Sequence, residues 1–337
     1  MKDKILISGN EALAEAAIQA GCKAYFGYPI TPQNEIPEYM SRRMPEEGRV
    51  FIQAESELAA INMVLGASAS GVRTMTTSSS PGISLMQEAL SYMAGDELPC
   101  VVANIARGGP GLGNIAGAQS DYFQSTKGGG HGDYNLIVIA PASVQEMIDL
   151  TFAAFDVADK YRTPVIILAD GYLGQMMEPA QIGKKEIHLI KKDWALTGAK
   201  GRTPNIINSM YLADSALEKH NKKLQEKFQR IKKEFCLVEE ISVSDAEIIL
   251  VAYGTVSRIC KNVVKNLRAK KIKAGLIRPI TLWPFPTEVI KKATSRAKFF
   301  LTVEMSAGQM VEDVRLAVDG KAPVYFYGRT GGGVPEE

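Results

Sequence analysis

Cysteine is scarce here and badly spaced for metal binding: none of the four stands in a C-x-x-C pair or beside two histidines, which removes the ligands of a zinc site or an iron–sulfur cluster. Cys22, Cys100, Cys236 and Cys260 read instead as isolated thiols in a reducing compartment. Histidine is rarer still. Of three, only His131 falls in a segment suited to a site, while His188 and His220 read as surface residues. An excess of either charge is also missing: 39 Lys plus Arg against 37 Asp plus Glu leave +2, which points to neither nucleic acid nor an anionic membrane. No run approaches the ~20 apolar residues of a membrane span, and the first residues lack a charged stretch followed by an apolar one. A soluble cytoplasmic protein is expected.

Apolar residues are plentiful, at 46% of 337, enough for two cores, and they come in short runs. Strand-like stretches at 23–27, 50–52, 73–77, 99–106, 135–140 and 164–170 alternate with helical patterns at 10–20, after 57, at 83–94 and at 143–159. Asn10 is the expected N-cap of the first helix and Gly21 its stop. This alternation predicts a doubly wound, mostly parallel α/β domain. Between residues 175 and 215 the pattern is lost, as in a long surface excursion. Leu217, Leu224, Phe228, Ile231 and Phe235 then recur at helical spacing, predicting a linker helix packed by one face with its lysines solvated. A second alternating block begins near residue 247, a smaller α/β domain that reads as packing and assembly surface. The expected division is residues 1–213, a linker helix over 214–240, and residues 241–337.

The stretch Gln53-Ala54-Glu55-Ser56-Glu57-Leu58-Ala59-Ala60-Ile61 carries two acids at a strand-to-helix corner. Two residues apart, Glu55 and Glu57 cannot share a helix face, so one of them is expected to point into a site. The helix after Glu57 is apolar almost all round and is expected to be buried. Glu57 itself suits either a helix cap or a buried catalytic acid. Tyr28-Pro29-Ile30-Thr31-Pro32 has two prolines that hold an extended loop and present Thr31, as a helix cap or as a ligand contact. Ser78-Ser79-Ser80-Pro81-Gly82 places hydroxyls at a helix start, where they can cap it or meet a polar ring. Arg107 follows a strand and precedes a glycine loop, fit to grip a carboxylate or to pair with a nearby acid. Gly111, Gly113 and Ala116 formally satisfy a dinucleotide fingerprint, but Pro110 interrupts the turn and no helix pattern follows. A second glycine-rich stretch, from Lys127 through His131 to Asp133, reads as mobile.

The run Gly27 to Pro32, the Glu57 corner, residues 77–82 and Arg107 with its loop together resemble the alpha-type subunit of 2-oxoacid:ferredoxin oxidoreductases. The resemblance covers nearly the whole chain. It implies a thiamine diphosphate pyrimidine-binding domain followed by a transketolase C-terminal-like domain. Residues 53–63 and 108–133 are most similar to the branch acting on 2-oxoisovalerate (3-methyl-2-oxobutanoate), with the 2-oxoglutarate branch second. By this resemblance Glu57 hydrogen-bonds the aminopyrimidine ring nitrogen and so promotes loss of the thiazolium C2 proton. Thr31 and Arg107 hold the substrate carbonyl and carboxylate, and Ser79, Ser80 and Pro29 contact the cofactor. The chain lacks a G-D-G motif followed by asparagines, and it lacks cluster cysteines. The diphosphate site, Mg²⁺ and 4Fe-4S clusters are therefore expected on beta-type and ferredoxin-like gamma- and delta-type partners, with ferredoxin as electron acceptor and coenzyme A as acyl acceptor. Two readings of other kinds stay open: a nucleotide-binding dehydrogenase using the Gly111 loop, and a non-catalytic assembly subunit.

Overall fold

The computed structural model describes residues 4–183, 187 and 189–337; His188 lies outside them. Strand β1 (Ile5–Ser8) leads into α1 (Gly9–Gln19), and strands and helices then alternate: β2 (Ala24–Gly27), α2 (Glu35–Glu46), β3 (Val50–Gln53), α3 (Glu57–Ala69), β4 (Thr74–Ser78), α4 (Ser80–Gly95) and β5 (Val101–Ala106). A short helix α5 (Tyr122–Thr126) precedes β6 (Ile137–Ile139), α6 (Val144–Tyr161), β7 (Val165–Asp170), α7 (Gly171–Gln175) and β8 (Met177–Ala180). Every residue of β4, β5 and β7 is buried, as central strands covered by helices on both faces must be.

After the connector helix α8 (Ala216–Glu234) come β9 (Val238–Ile241), β10 (Ile248–Val251), α9 (Gly254–Ala269), β11 (Ala274–Pro279), β12 (Thr281–Trp283), α10 (Thr287–Ala293), β13 (Phe299–Glu304), α11 (Met310–Val318) and β14 (Val324–Gly328). They build a five-stranded sheet in the order β14-β13-β10-β11-β9, parallel except for β9. One strand crosses over: β12 pairs antiparallel with β6, so the first sheet has seven strands in the order β12-β6-β7-β5-β4-β2-β3, parallel apart from that edge. The expected fold, two mostly parallel α/β sheets, is what forms.

Local differences from the sequence reading have physical causes. The cap of α1 is Ser8, whose Oγ accepts from Glu11 N at 3.2 Å; Asn10 is buried and serves a tertiary contact instead. Inside the supposed surface excursion, residues 177–180 form β8, which pairs with β1 across some 170 residues of sequence. Helix α8 forms as expected, but Lys227 is buried rather than solvated, with its ammonium 3.3 Å from Glu97 and donating to Arg162 O at 3.1 Å. Helix α3 is not buried all round: Leu58 and Met63 are exposed on one face, where Asn62 is the one polar side chain.

The second sheet docks by specific pairs. Arg278 pairs with Glu146 and Glu239 and Arg258 with Glu178, while Gln119 exchanges backbone and side-chain hydrogen bonds with Met305 and Tyr253. Residues 305–309 and 330–333 are thereby brought against the loop that follows β5.

Candidate active site

The residues singled out in the sequence gather at the carboxyl ends of the first sheet's strands, where an open α/β sheet leaves its crevice. Glu57 is the first residue of α3 and is only 5% exposed, whereas Glu55 points to solvent. Capping falls to Ser56, whose Oγ accepts from Ala59 N at 3.2 Å, so Glu57 has no need to cap. Its one hydrogen bond among the described residues is a long one, from Ser78 Oγ at 3.3 Å. Opposite lies Gly82, where a Cβ would overlap Glu57 Oε1 and Ser78 Oγ; only glycine lets the carboxylate lie this close to the start of α4. Next to it, Ser79 is fully buried and its hydroxyl has no partner among the described residues.

The loop over residues 28–33 turns instead of running extended: Gln33 N donates to Ile30 O at 3.0 Å, and the Thr31–Pro32 peptide is cis. Buried hydrogen bonds pin it. Thr77 Oγ1 joins Tyr25 Oη at 2.7 Å and Gln33 Oε1 at 2.5 Å, while Asn10 Nδ2 donates to Pro32 O at 2.9 Å and to Glu35 at 2.8 Å. Burial holds the Tyr25 hydroxyl well above the usual phenol range, so it stays a neutral member of this chain. Thr31 caps nothing; its Oγ1 accepts from Asn34 Nδ2 at 3.2 Å and its carbonyl accepts from Arg107 Nη1 at 2.9 Å. Pro29 is exposed on this loop.

Arg107 is 9% exposed, and among the described residues no carboxylate lies within ion-pair distance of it. The salt bridge considered from sequence is absent. Its guanidinium is held by two carbonyls, of Thr31 and, at 3.1 Å, of Leu112, and its Nε is unpartnered. Buried cations normally carry a counter-charge, so this one is left for an anion that the chain does not supply. Ser80, read from sequence as a cofactor contact, has its hydroxyl engaged within the protein. It lies 2.6 Å from Asp121 and accepts from Arg107 N at 3.0 Å. Asp121 also accepts from Asn104 Nδ2 at 2.8 Å; burial raises its carboxyl, and the Ser80 and Asn104 hydrogen bonds pull the other way. Ser78 touches the Glu57 carboxylate and Ser80 the Arg107 backbone, so residues 78–80 link the two segments that carry the acid and the cation.

Other candidates lie elsewhere. His131 is exposed and stacks edge-on against Tyr92, eleven residues along α4 from Pro81 and so on the order of 16 Å away. His220 is half-buried against Gly95 O. No helix starts in residues 111–116, so the apparent dinucleotide fingerprint has no helix N-terminus to offer a pyrophosphate. Asn10, Gln33, Asn104 and Asp121 escaped the sequence reading. Only Asn104, the one polar residue of Val101–Ala106, carried a local signal.

Comparison with known proteins agrees with this geometry. Residues 15–240 match the family described as pyruvate flavodoxin/ferredoxin oxidoreductase, thiamine diphosphate-binding, and residues 246–336 match core domain II of pyruvate:ferredoxin oxidoreductase. The chain is 51% identical to ketoisovalerate oxidoreductase subunit VorB of Methanothermobacter marburgensis, over 98% of this chain and 94% of that one. It is 37% identical to 2-oxoglutarate synthase subunit KorA of Methanocaldococcus jannaschii, over 98% and 97%. The 2-oxoglutarate:ferredoxin oxidoreductase from Magnetococcus marinus, solved with 2-oxoglutarate, coenzyme A and succinyl-CoA bound, superposes with a TM-score of 0.89 at 28% identity. That match covers 99% of this chain, which spans 64% of that one.

Proposed function

Because the chain belongs to the 2-oxoacid:ferredoxin oxidoreductases, as an alpha-type subunit of these thiamine diphosphate-dependent enzymes, we propose that it serves the oxidative decarboxylation of 3-methyl-2-oxobutanoate to an acyl-CoA. The observation that carries this reading is the buried Arg107 with no counter-ion among the described residues, linked through its backbone and residues 78–80 to a buried Glu57 with a single weak partner.

The residues present fit thiamine diphosphate: the buried Glu57 carboxylate has one long hydrogen bond, and the buried Ser79 hydroxyl has no partner among the described residues. When bound, that cofactor supplies a carbon nucleophile and an electron sink for decarboxylation. Glu57 then holds a proton toward the aminopyrimidine ring nitrogen, in a setting where few other donors compete for it. Ser78 fixes the rotamer of that carboxyl. Arg107 takes the substrate carboxylate by charge-assisted hydrogen bonds, and Thr31, whose carbonyl it already grips, stands beside the substrate carbonyl. Ser80 and Asp121 orient Arg107 through its backbone, and Ser80 stands beside Ser79 as a cofactor contact in this reading. Pro29 belongs to the loop rim on the cofactor side.

A cleft beside Ser80 and Asp121, the residues that hold the Arg107 backbone, favours a branched monocarboxylate over 2-oxoglutarate. The cleft, of about 560 Å³, opens between residues 109–111, Asp121, residues 305–307 and residues 330–331, and no lysine, arginine or histidine lines it. A second substrate carboxylate would meet Asp121 there and no cation. Identity to the ketoisovalerate relative, 51% against 37% for the 2-oxoglutarate one, supports the same choice. The test is turnover of the complex, assembled with its partner subunits, coenzyme A and ferredoxin. A higher kcat/KM for 3-methyl-2-oxobutanoate than for 2-oxoglutarate is expected, and the reverse order would overturn the assignment.

The half-site requires partners. Leu58 and Met63 on α3, Leu85 on α4 and Tyr28 on the loop leave apolar surface open around the Glu57 corner. A beta-type subunit bringing the diphosphate and Mg²⁺ ligands is the cover we propose, with ferredoxin-like gamma- and delta-type subunits carrying the 4Fe-4S clusters to ferredoxin. Residues 1–213 and 241–337 would then be the two functional domains, with α8 as their connector.

A further inference from the structure

Resting on that reading of Arg107, we propose that Asn114, Tyr172 and the segment Thr330-Gly331-Gly332 form a strap from the second sheet that positions the Arg107 guanidinium. A carbonyl clamp is only as rigid as the loop that bears it. One of the two carbonyls on Arg107 belongs to Leu112, in a loop with glycines at 108, 109, 111 and 113 and with the Leu112 side chain 83% exposed. Inside the loop the ties are local: Gly108 N to Ala116 O and Asn114 N to Gly108 O, both 3.0 Å, and Ala116 N to Asn114 Oδ1 at 3.1 Å.

The strap adds ties that come from outside the loop. Asn114 Nδ2 donates to Gly331 O at 2.9 Å, and Tyr172 Oη donates to Gly332 O at 2.6 Å. Gly332 has φ +83°, and a Cβ there would overlap the Ala116 Cβ, so glycine is what lets the strap lie flat on the loop. The Tyr172 ring in turn packs where a side chain at Gly117 would sit. Both ends of the strap are anchored. Arg329 N donates to Glu304 O at 3.1 Å on one side, and on the other Val334 packs with Tyr172 on the second sheet's core. The second sheet thus reaches the substrate end of the first through the backbone of residues 331 and 332, and Asn114 is where the two meet.

A positioning role makes a prediction that a merely structural one does not. In the full chain, Asn114→Ala and Tyr172→Phe should each speed phenylglyoxal modification of Arg107, followed by mass spectrometry, by about five- to tenfold, the factor for one lost hydrogen bond of ordinary strength. In the complex assembled with its partner subunits, the same variants should raise KM for 3-methyl-2-oxobutanoate by about the same factor and leave kcat within about twofold. Asn114→Asp retains the acceptor for Ala116 N but loses the donor to Gly331 O, and it should behave like the alanine variant. Tyr172→Phe keeps the packed ring, so an unfolded product does not confuse the result. Arg107 modification and KM both at parental values in Asn114→Ala and Tyr172→Phe would overturn the strap. If Arg107→Ala leaves KM unchanged while Asn114→Ala still exposes Arg107, the strap stands and the carboxylate role of Arg107 falls.

Discussion

Each of the two sheets ends in a buried glutamate beside a helix start, and the two are treated in opposite ways. Glu304, the last residue of β13, receives the backbone N–H groups of Gln309, Met310 and Val311 and the hydroxyl of Ser306 within 3.3 Å. Burial raises its carboxyl, yet those donors work against the shift and close the corner around α11. Glu57, also buried at the start of α3, has among the described residues one hydroxyl at 3.3 Å and no backbone donor. The buried arginines divide in the same way. Arg73 is paired with Asp156 and Asp159 and Arg278 with Glu146 and Glu239, while Arg107 has carbonyls alone. Burial does not mark the site; incomplete satisfaction of a buried charge does.

The sharpest way to break this comparison is to exchange arginines for leucine. Arg73→Leu leaves Asp159, whose side chain is 3% exposed, with Lys192 as its remaining partner and should cost about 3 kcal/mol of stability in denaturant unfolding. Arg107→Leu strands no acid and should unfold within about 1 kcal/mol of the parent. Its defect belongs in KM for the 2-oxoacid, raised by roughly 10- to 100-fold. Equal stability losses in the two variants would erase the distinction between them.

Carboxylates give the next test. Glu57→Gln should lower kcat of the assembled complex by about 10²-fold without a stability defect, while Glu304→Gln should lose about 2 kcal/mol of stability and keep normal turnover per folded molecule. Smaller again, Ser80→Ala frees the Arg107 backbone from Asp121 and should raise KM by about fivefold. The mildest effect concerns Glu97. Its burial opposes ionisation, but Lys227, Lys223 and Arg162 outweigh that and hold its carboxyl below the usual range. A carboxylate with a lowered folded pKa stabilises fully above its unfolded value, near ~4.3, and loses that contribution as pH falls through the folded one. The protection factors of α8 amides, rates taken relative to the intrinsic exchange rate at each pH, should therefore be constant from neutrality to about pH 5 and fall below it, and Glu97→Gln should flatten that dependence.

Much of the fold was legible because central strands of a parallel sheet announce themselves in short aliphatic runs such as Val165–Asp170 and Ile248–Val251. Four edge strands were not. β1, β8, β9 and β12 are three or four residues long, and each is antiparallel to a partner distant in sequence or in the other sheet. At the site, Glu57 and Arg107 stood out because a charge at a strand-to-helix corner is a local pattern. The hydrogen-bond chain from Tyr25 through Thr77 to Gln33, and Asn10 on Pro32 O, depend on which loops meet, and no spacing in the sequence encodes that. The open face of α3 was hidden for the opposite reason: its composition is that of a buried helix, and the single chain leaves Leu58 and Met63 uncovered.

The central claim is that Glu57 is left unsatisfied in order to hold a proton on the cofactor ring. It is tested most directly by hydrogen–deuterium exchange at the thiazolium C2 of thiamine diphosphate bound to the assembled complex, parent against Glu57→Gln. An amide keeps the size and a hydrogen bond but cannot supply the proton, so exchange slowed by about 10²-fold or more is expected at equal cofactor occupancy. Exchange as fast in the Gln variant as in the parent would contradict the claim, and Glu57 would then be a buried helix-start carboxylate like Glu304.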